Sequence, residues 1–275
     1  MQAPLFHIAF YKFVRLADPQ AVVDALRALT DGLKGSVLVA EEGINGMLAG
    51  TAAQLDTFAK ALETDARFAG AFTGMAYKRS ACQTAPFGRL KIHLKKEIVP
   101  LGVEGVDATG NTGVHLSPQE WRELIARDDV VVIDNRNSFE FRMGRFANAV
   151  DPKVTNFRDF PTYMREHLPQ WQAEGKKVAM YCTGGIRCEK TGAWMADLGV
   201  PIYQLQGGIL NYFAQMPDAD KDWQGDCFVF DNRIALNTRL EESGATLEEA
   251  YAGDDPEDAD MQWRLARAKR LAAGS

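Results

Sequence analysis

The run Val178-Ala-Met-Tyr-Cys182-Thr-Gly-Gly-Ile-Arg187-Cys188-Glu-Lys190 decides how the rest of the chain is read. Its first four residues are apolar and β-prone. Cys182 to Arg187 then break into a short loop. A helical pattern follows from Cys188 to Leu198, and Gly199 sits where a helix would stop. A strand that delivers a cysteine into a glycine-bearing loop at a helix N-terminus has a chemical use. The loop's N–H groups can converge on the sulfur, and the helix dipole adds partial positive charge. Thiols in such places ionise at roughly 3.5–7.5 instead of about 8.5. Gly184 and Gly185 permit backbone conformations that a Cβ forbids, and Arg187 can bond an anion in the loop. A lone cysteine at a strand end is commonly a buried packing residue. The glycine pair, the arginine and the strand–loop–helix context together point instead to a reactive Cys182.

Around this run the pattern is that of an α/β sheet. Upstream, Ser117 is an N-cap with Pro118 at the first helical position and Glu120 as capping-box partner; Leu116 and Trp121 form a hydrophobic staple. Val130 to Ile133 is short, continuous and β-branched, as a buried parallel strand should be, and it ends in Asp134-Asn135-Arg136. Ala147 to Val150 is expected as a short strand. Ile202 to Gln206 is another, followed by Gly207-Gly208 and a helix from Ile209. Sites in such sheets lie beyond the strand C-termini, where Cys182 falls.

The first hundred residues have a different rhythm. Residues 5–16 suggest a strand. Asp18-Pro19 opens a helix carrying Val22, Val23, Leu26, Leu29 and Leu33 at helical spacing, and Ser36 to Ala40 is a strand. Glu41 to Gly46 is turn chemistry, with Met47 to Ala49 returning. Thr51 with Gln54 opens a second helix, and residues 90–99 alternate as a strand. The order β-α-β-β-α-β is a ferredoxin-like or acylphosphatase-like α+β plan. The expected division is a domain over 1–99, a glycine-bearing linker over 100–115, an α/β domain with a parallel sheet over 116–225, and a C-terminal extension over 226–275.

Segment 77–96 carries Lys78, Arg79, Arg89, Lys91, Lys95 and Lys96 with Tyr77, Phe87 and His93 among them. Interleaved cations and rings suit single-stranded or looped RNA. A solvated strand edge made basic against aggregation explains the same residues equally well. His7 and His93 are isolated and are expected to be satisfied or exposed, without a functional part. In the tail, residues 241–260 hold nine acids and no Lys or Arg, and are expected to be mobile. Residues 261–270 suggest an amphipathic helix around Trp263.

Composition bounds the function. Apolar residues make up 46% of the 275, enough for two cores, yet no apolar run approaches a membrane span. The N-terminus lacks the basic-then-apolar pattern of a signal peptide. Four cysteines, at 82, 182, 188 and 227, are too few and too scattered for a disulfide framework, and a cytoplasmic setting fits them. No C-x2-C pair occurs and the four His are isolated, so no metal is expected. A net charge of −6 argues against a protein coated in basic charge, though not against a local patch.

The second domain resembles a rhodanese domain. The matching residues are Asp134-x-Arg136-x-x-x-Glu140, Gly144-x-Phe146-x-x-Ala149, the Cys182 loop and Gln206-Gly207-Gly208. Cys182 and Arg187 enclose four residues; the related phosphatases enclose five, so this shorter loop disfavours phosphatase chemistry. The run from Cys182 to Lys190, with Glu42-Gly-Ile-Asn-Gly46 and Cys227-Phe-Val-Phe-Asp231, resembles more closely the tRNA uridine hydroxylase family, over about residues 5–240. That resemblance implies an oxidoreductase that hydroxylates carbon 5 of the wobble uridine of tRNA to 5-hydroxyuridine, with molecular oxygen as co-substrate and no cofactor. It implies tRNA as partner, with no membrane and no stable protein partner. Many members carry a cysteine-rich C-terminal extension, whereas this chain has no Cys after 227.

In such an enzyme Cys182 and Arg187 are the expected catalytic residues, supported by Asp134, Arg136, Gly184, Gly185 and Cys188. The cations of 77–96 are the expected RNA contacts. Thiolate addition at uracil carbon 6 makes carbon 5 nucleophilic; an oxidised or persulfidated Cys182 passing an oxygen atom is the other route. Asp134 and Arg136 serve either the loop or a structural ion pair, and Cys188 is either a resolving thiol or a packing residue. The competing function is a sulfurtransferase carrying a persulfide on Cys182. A non-catalytic rhodanese module is a third, and the retained Cys182 argues against it.

Overall fold

The computed structural model describes residues 4–252 and 258–273, with side chains as far as Arg270. The chain divides into two compact units. One holds residues up to Val99 together with Asp231–Arg233 and the last residues from Lys269. The other holds Pro100–Phe230 and Ile234–Ala268.

The first unit is built from β1 (Leu5–Phe13), α1 (Pro19–Leu29), β2 (Lys34–Ala40), β3 (Gly43–Gly50), α2 (Ala52–Thr64), β4 (Tyr77–Cys82) and β5 (Leu90–Leu94). The sheet order is β4-β1-β3-β2-β5, antiparallel except that β5 runs parallel to β2. Both helix starts follow their caps. Asp18 accepts from the Ala21 N–H, and Thr51 and Gln54 form a reciprocal box. Ile8, Phe10, Val22, Leu26, Val37, Ile44, Leu55 and Phe58 fill the core between sheet and helices.

Two expectations for this unit are corrected. Gly43 to Gly46 belong to β3, so the turn shrinks to Glu41-Glu42. Gly46 is there because the Phe10 ring lies on it; a Cβ would meet the ring at 2.3 Å. The strand closing the β-α-β-β-α-β plan is β4, not residues 90–99. Residues 90–94 instead add a fifth strand at the opposite edge, beside β2. The Lys and Arg on β4 hide its pattern, because an edge strand tolerates charge.

His7 is buried, with Phe87 at 5.8 Å between ring centroids and Asp231 at 3.7 Å. Burial and the Arg233 charge push its pKa down to about 4 against the opposing pull of Asp231, so it stays neutral. His93 is exposed.

The second unit contains β6 (Val114–Leu116), α3 (Pro118–Ile125), β7 (Val130–Asp134), α4 (Ser138–Met143), β8 (Gly144–Phe146), α5 (Phe160–Ala173), β9 (Lys177–Tyr181), α6 (Ile186–Asp197), β10 (Ile202–Leu205) and α7 (Gly208–Gln215). β11 (Trp223–Gly225), β12 (Cys227–Phe228), β13 (Ala235–Leu236), α8 (Leu247–Tyr251) and α9 (Ala259–Ala273) follow, α9 belonging to this unit as far as Ala268. The main sheet is parallel in the order β6-β10-β9-β7. It starts inside the stretch expected as linker: Val114 pairs with Tyr203 and His115 with Gln204. Residues 147–150 form no strand. β8 comes earlier, paired antiparallel with β11, and Val150 makes only an isolated bridge to Ile133.

Phe146 is wholly buried among Trp121, Tyr181, Tyr212 and Trp223, with edge-on or tilted ring contacts of 4.9 to 5.7 Å. This aromatic block shares one core with Val132 of β7 and Ala179 of β9. In the tail, residues 247–251 are helical behind a Thr246–Glu249 capping box, so that part of the acidic stretch is ordered; residues 253–257 lie outside the described residues. The expected terminal helix is present, but Met261 is its buried residue, beside Phe139 and Phe228, while Trp263 stays 51% exposed. No described helix is long and apolar enough to cross a membrane.

Candidate active site

β9 carries Cys182 to the C-terminal edge of the parallel sheet, and α6 begins four residues later. The helix starts at Ile186, two residues before its expected start, because Gly185 takes a left-handed conformation as its N-cap. The Cys182 sulfur therefore faces the first turn. The Gly185 N–H donates to Sγ at 3.1 Å. The Cys188 N–H and the Cys188 thiol also bond to it.

Cys182 is 1% exposed, and burial alone would raise its pKa. The Cys188 thiol, the Arg187 charge and the N–H groups of Cys188 and Gly185 outweigh burial and hold it well below the ordinary thiol range. Cys188 moves the opposite way. It is fully buried and donates to Cys182, so its pKa is raised well above normal. Of this coupled pair, Cys182 is the thiolate, since it alone receives the backbone donors.

The cradle's shape is fixed from behind. The N–H groups of Ile209 and Leu210, at the start of α7, donate to the carbonyls of Cys182 and Thr183 at 3.0 and 3.2 Å. Gly208 makes this approach possible. It sits at φ 72°, and a Cβ there would meet the Cys182 and Thr183 carbonyl oxygens at 2.5 and 2.7 Å. This is the physical content of Gln206-Gly207-Gly208. Thr183, Gly184 and Ile186 are half-buried at the cradle's mouth, and a Cβ at Gly184 would touch nothing within 4 Å.

Arg187 is not loose in the cradle. Both terminal nitrogens bond the Glu140 carboxylate, at 2.7 and 2.8 Å. Burial pushes the Glu140 carboxyl up, but the Arg187 charge and hydrogen bonds outweigh it and keep it ionised. The Asn137 N–H also donates to Glu140, and Thr183 Oγ1 lies 3.4 Å from it. The Phe230 ring sits 6.0 Å from the guanidinium. Glu140 was visible in sequence only as the acid four residues after Arg136. The capping pattern Asn137-x-x-Glu140 was the signal that could have drawn attention to it.

Asp134 and Arg136 do not reach the cysteine. They form a fully buried bidentate pair, 2.8 and 2.6 Å, and Arg136 also bonds the Gly144 carbonyl at 2.6 Å. The guanidinium lies between the Tyr181 and Trp223 rings, at 5.6 and 5.4 Å. The residue between them, Asn135, turns instead toward α6. It donates to Thr191 Oγ1 at 2.9 Å and bonds the Cys188 sulfur. Cys227 is buried, its thiol pushed up to about 12 chiefly by burial, with the Thr183 hydroxyl against it. Among the described residues no group of three or more His, Cys, Asp or Glu could hold a metal ion.

The basic residues of 77–96 are not gathered into one patch. Lys78 and Arg79 lie on β4 and Lys91 on β5, the two outer strands of one sheet. Arg79 is engaged with Asp56 at 2.8 Å and with the Phe6 ring at 5.0 Å. Lys78 lies over the Tyr11 ring at 5.1 Å. Arg89, Lys95 and Lys96 are exposed beside β5.

Comparison with known proteins bears on both units. Residues 6–98 match the UPF0176 acylphosphatase like domain, and residues 117–215 match the Rhodanese-like domain. The tRNA uridine(34) hydroxylase of Legionella pneumophila (strain Corby) is 41% identical over 246 residues, 88% of this chain and 94% of its own. The protein of the same name from Nitrobacter winogradskyi is 44% identical over 238 residues, covering 86% and 92%. A solved rhodanese-related protein from Thermoplasma volcanium is 23% identical and covers 38% of this chain and 93% of its own, at a TM-score of 0.28, too slight a likeness to bear on the site.

Proposed function

This chain belongs to the tRNA uridine(34) hydroxylase family, and from that premise we propose that it hydroxylates the wobble uridine of tRNA at carbon 5, with Cys182 as nucleophile. The observation that carries the role of Cys182 is its sulfur, held as a thiolate by the N–H groups of Gly185 and Cys188 beside the Arg187 charge. A thiolate of this kind adds to carbon 6 of uracil. The adduct is an enolate, electron-rich at carbon 5, and it donates an electron to dioxygen far more readily than uracil itself. Arg187 keeps N–H bonds beyond those given to Glu140, and these can meet the negative charge that develops on the base. Glu140 is a positioning residue for that charge. Asp134 and Arg136 support the site by fixing the strand ends beneath it.

The docking of tRNA is assigned to the first unit. Arg89, Lys91, Lys95 and Lys96, clustered on and beside β5, supply phosphate contacts. Lys78 with Tyr11 offers a cation and a ring on the opposite edge strand. Dioxygen is the co-substrate, no further cofactor takes part, and the free thiols suit a reducing cytoplasm.

The test uses purified, metal-stripped protein and unmodified tRNA. Conversion to 5-hydroxyuridine in air and not under argon, with label from oxygen gas in the new hydroxyl, is expected. Cys182→Ser should fold and be inactive. Label from water, or a strict metal requirement, overturns this account. Turnover of thiosulfate and cyanide without RNA would favour the sulfurtransferase, for which the same cradle would hold a persulfide.

A further inference from the structure

Hydroxylation by dioxygen leaves a second oxygen atom to be reduced, and the reaction needs two electrons from somewhere. Two sulfur atoms in contact are the available source inside the site. Cys188 is wholly buried on the first turn of α6, its thiol bonded to Cys182 and its sulfur met by the Asn135 amide, which Thr191 holds at 2.9 Å. A cysteine needed only for packing would require none of this polar company. Buried packing thiols are satisfied by apolar neighbours. Cys188 is 0% exposed, so bulk thiols do not reach it directly, and the sulfur it meets is that of Cys182.

Resting on the hydroxylase reading above, we propose that Cys182 and Cys188 together supply the two electrons of each turnover, and that Cys188 is a catalytic residue that closes a disulfide onto Cys182. Cys182 thiolate adds to carbon 6, and the carbon 5 enolate takes up dioxygen as a hydroperoxide. The carbon 5 proton goes to solvent, replacing the one that the peroxide took up, and the sulfur leaves carbon 6 as thiolate, which restores the ring double bond. That thiolate attacks the distal oxygen of the hydroperoxide. The O–O bond breaks, carbon 5 keeps one oxygen as 5-hydroxyuridine, and Cys182 becomes a sulfenic acid. The Cys188 sulfur displaces hydroxide from the sulfenic sulfur, giving the disulfide and water. In sum, uridine, dioxygen and two thiols become 5-hydroxyuridine, a disulfide and water. A dithiol reductant, arriving at the cradle's mouth beside Gly184, resets the pair.

The experiment takes the full chain, reduced and freed of small thiols, in air with excess unmodified tRNA. One 5-hydroxyuridine per chain is expected, after which product formation stops. The peptide holding both cysteines should then be lighter by two hydrogens without reduction. Dithiothreitol should restart turnover. In Cys188→Ala, dimedone should capture a sulfenic acid on Cys182 after the first turnover, and turnover at limiting reductant should fall roughly tenfold or more. The wild-type measurement stands even if that variant folds poorly. More than one product per chain without added reductant, or product formed while both cysteines remain free thiols, overturns the proposal. No 5-hydroxyuridine even in air with dithiothreitol defeats the hydroxylase reading itself, and this proposal with it.

Discussion

Arg187 and Glu140 face each other as a buried bidentate pair, 2.7 and 2.8 Å apart, joining the first turn of α6 to α4. The arginine that was expected to meet an anion in the cradle is thus aimed by an acid from a distant part of the chain. Glu140→Ala would leave a buried guanidinium without its counter-charge. A loss of roughly 3–5 kcal/mol is expected, read from the denaturant midpoint. Glu140→Gln keeps the volume and one acceptor; it should cost less stability yet still depress kcat, because Arg187 is no longer held by two oxygens. Unchanged kcat in a folded Glu140→Gln would show that the aim of Arg187 does not matter.

Thiol reactivity should separate the cysteines by pH. Cys182 is held low and Cys188 and Cys227 are held high, so among these three buried thiols a small alkylating reagent should label Cys182 first, with half-exposed Cys82 followed separately by peptide mapping. Its labelling rate should stay level as pH falls well below the value of about 8.5 typical of a free thiol. A depressed thiol pKa stabilises the fold at pH above the unfolded value, and that contribution is lost as pH falls through the folded value. The stability difference between wild type and Cys182→Ser should therefore change in the wild type's disfavour on acidification. Labelling that rises only near pH 8.5, about the free-thiol value, would refute the thiolate.

Gly208→Ala should damage the site without a comparable effect from Gly184→Ala. At Gly208 the new methyl meets the Cys182 and Thr183 carbonyls, and φ 72° adds about 1–2 kcal/mol of backbone cost for an L-residue. At Gly184 it meets nothing. Melting temperature and the rate of Cys182 alkylation, measured on both variants, decide the matter; equal losses would mean that the cradle is not shaped from behind.

Charge reversal should distinguish the edge strands. Lys91→Glu should weaken tRNA binding and make its salt dependence shallower, by about one ion equivalent for each phosphate no longer neutralised. Arg79→Glu should leave that slope unchanged, since Arg79 is committed to Asp56 and Phe6. Filter binding across a salt series reads both. A slope unaltered by Lys91→Glu would remove β5 from the RNA surface.

The local signals in the sequence were strong ones. Asp18-Pro19, Thr51 with Gln54, and Ser117 with Glu120 all cap the helices that they announce, and the strand–loop–helix around Cys182 is present, its helix starting two residues early at Ile186. What escaped was pairing over distance. Whether 77–82 or 90–94 closes the first sheet depends on partners found dozens of residues away, and the lysines and arginines on both stretches blur the alternation. The same holds in the site. Spacing places Arg136 near a strand end beside the cysteine, but cannot say that it folds back onto Asp134 between two aromatic rings. Nor can spacing say that Glu140 reaches Arg187. Side-chain direction is decided by packing, and packing is non-local.

The two amides that grip the cradle from behind also make it observable. Ile209 and Leu210 give their N–H groups to the carbonyls of Cys182 and Thr183, so neither can exchange its hydrogen for deuterium until the loop lets go. Their exchange is a clock set to the opening of the site, and needs no substrate to run. Protection matching that of β9 would mean that the thiolate sits in a socket as durable as the sheet; faster exchange confined to these two amides would time the loop's own breathing.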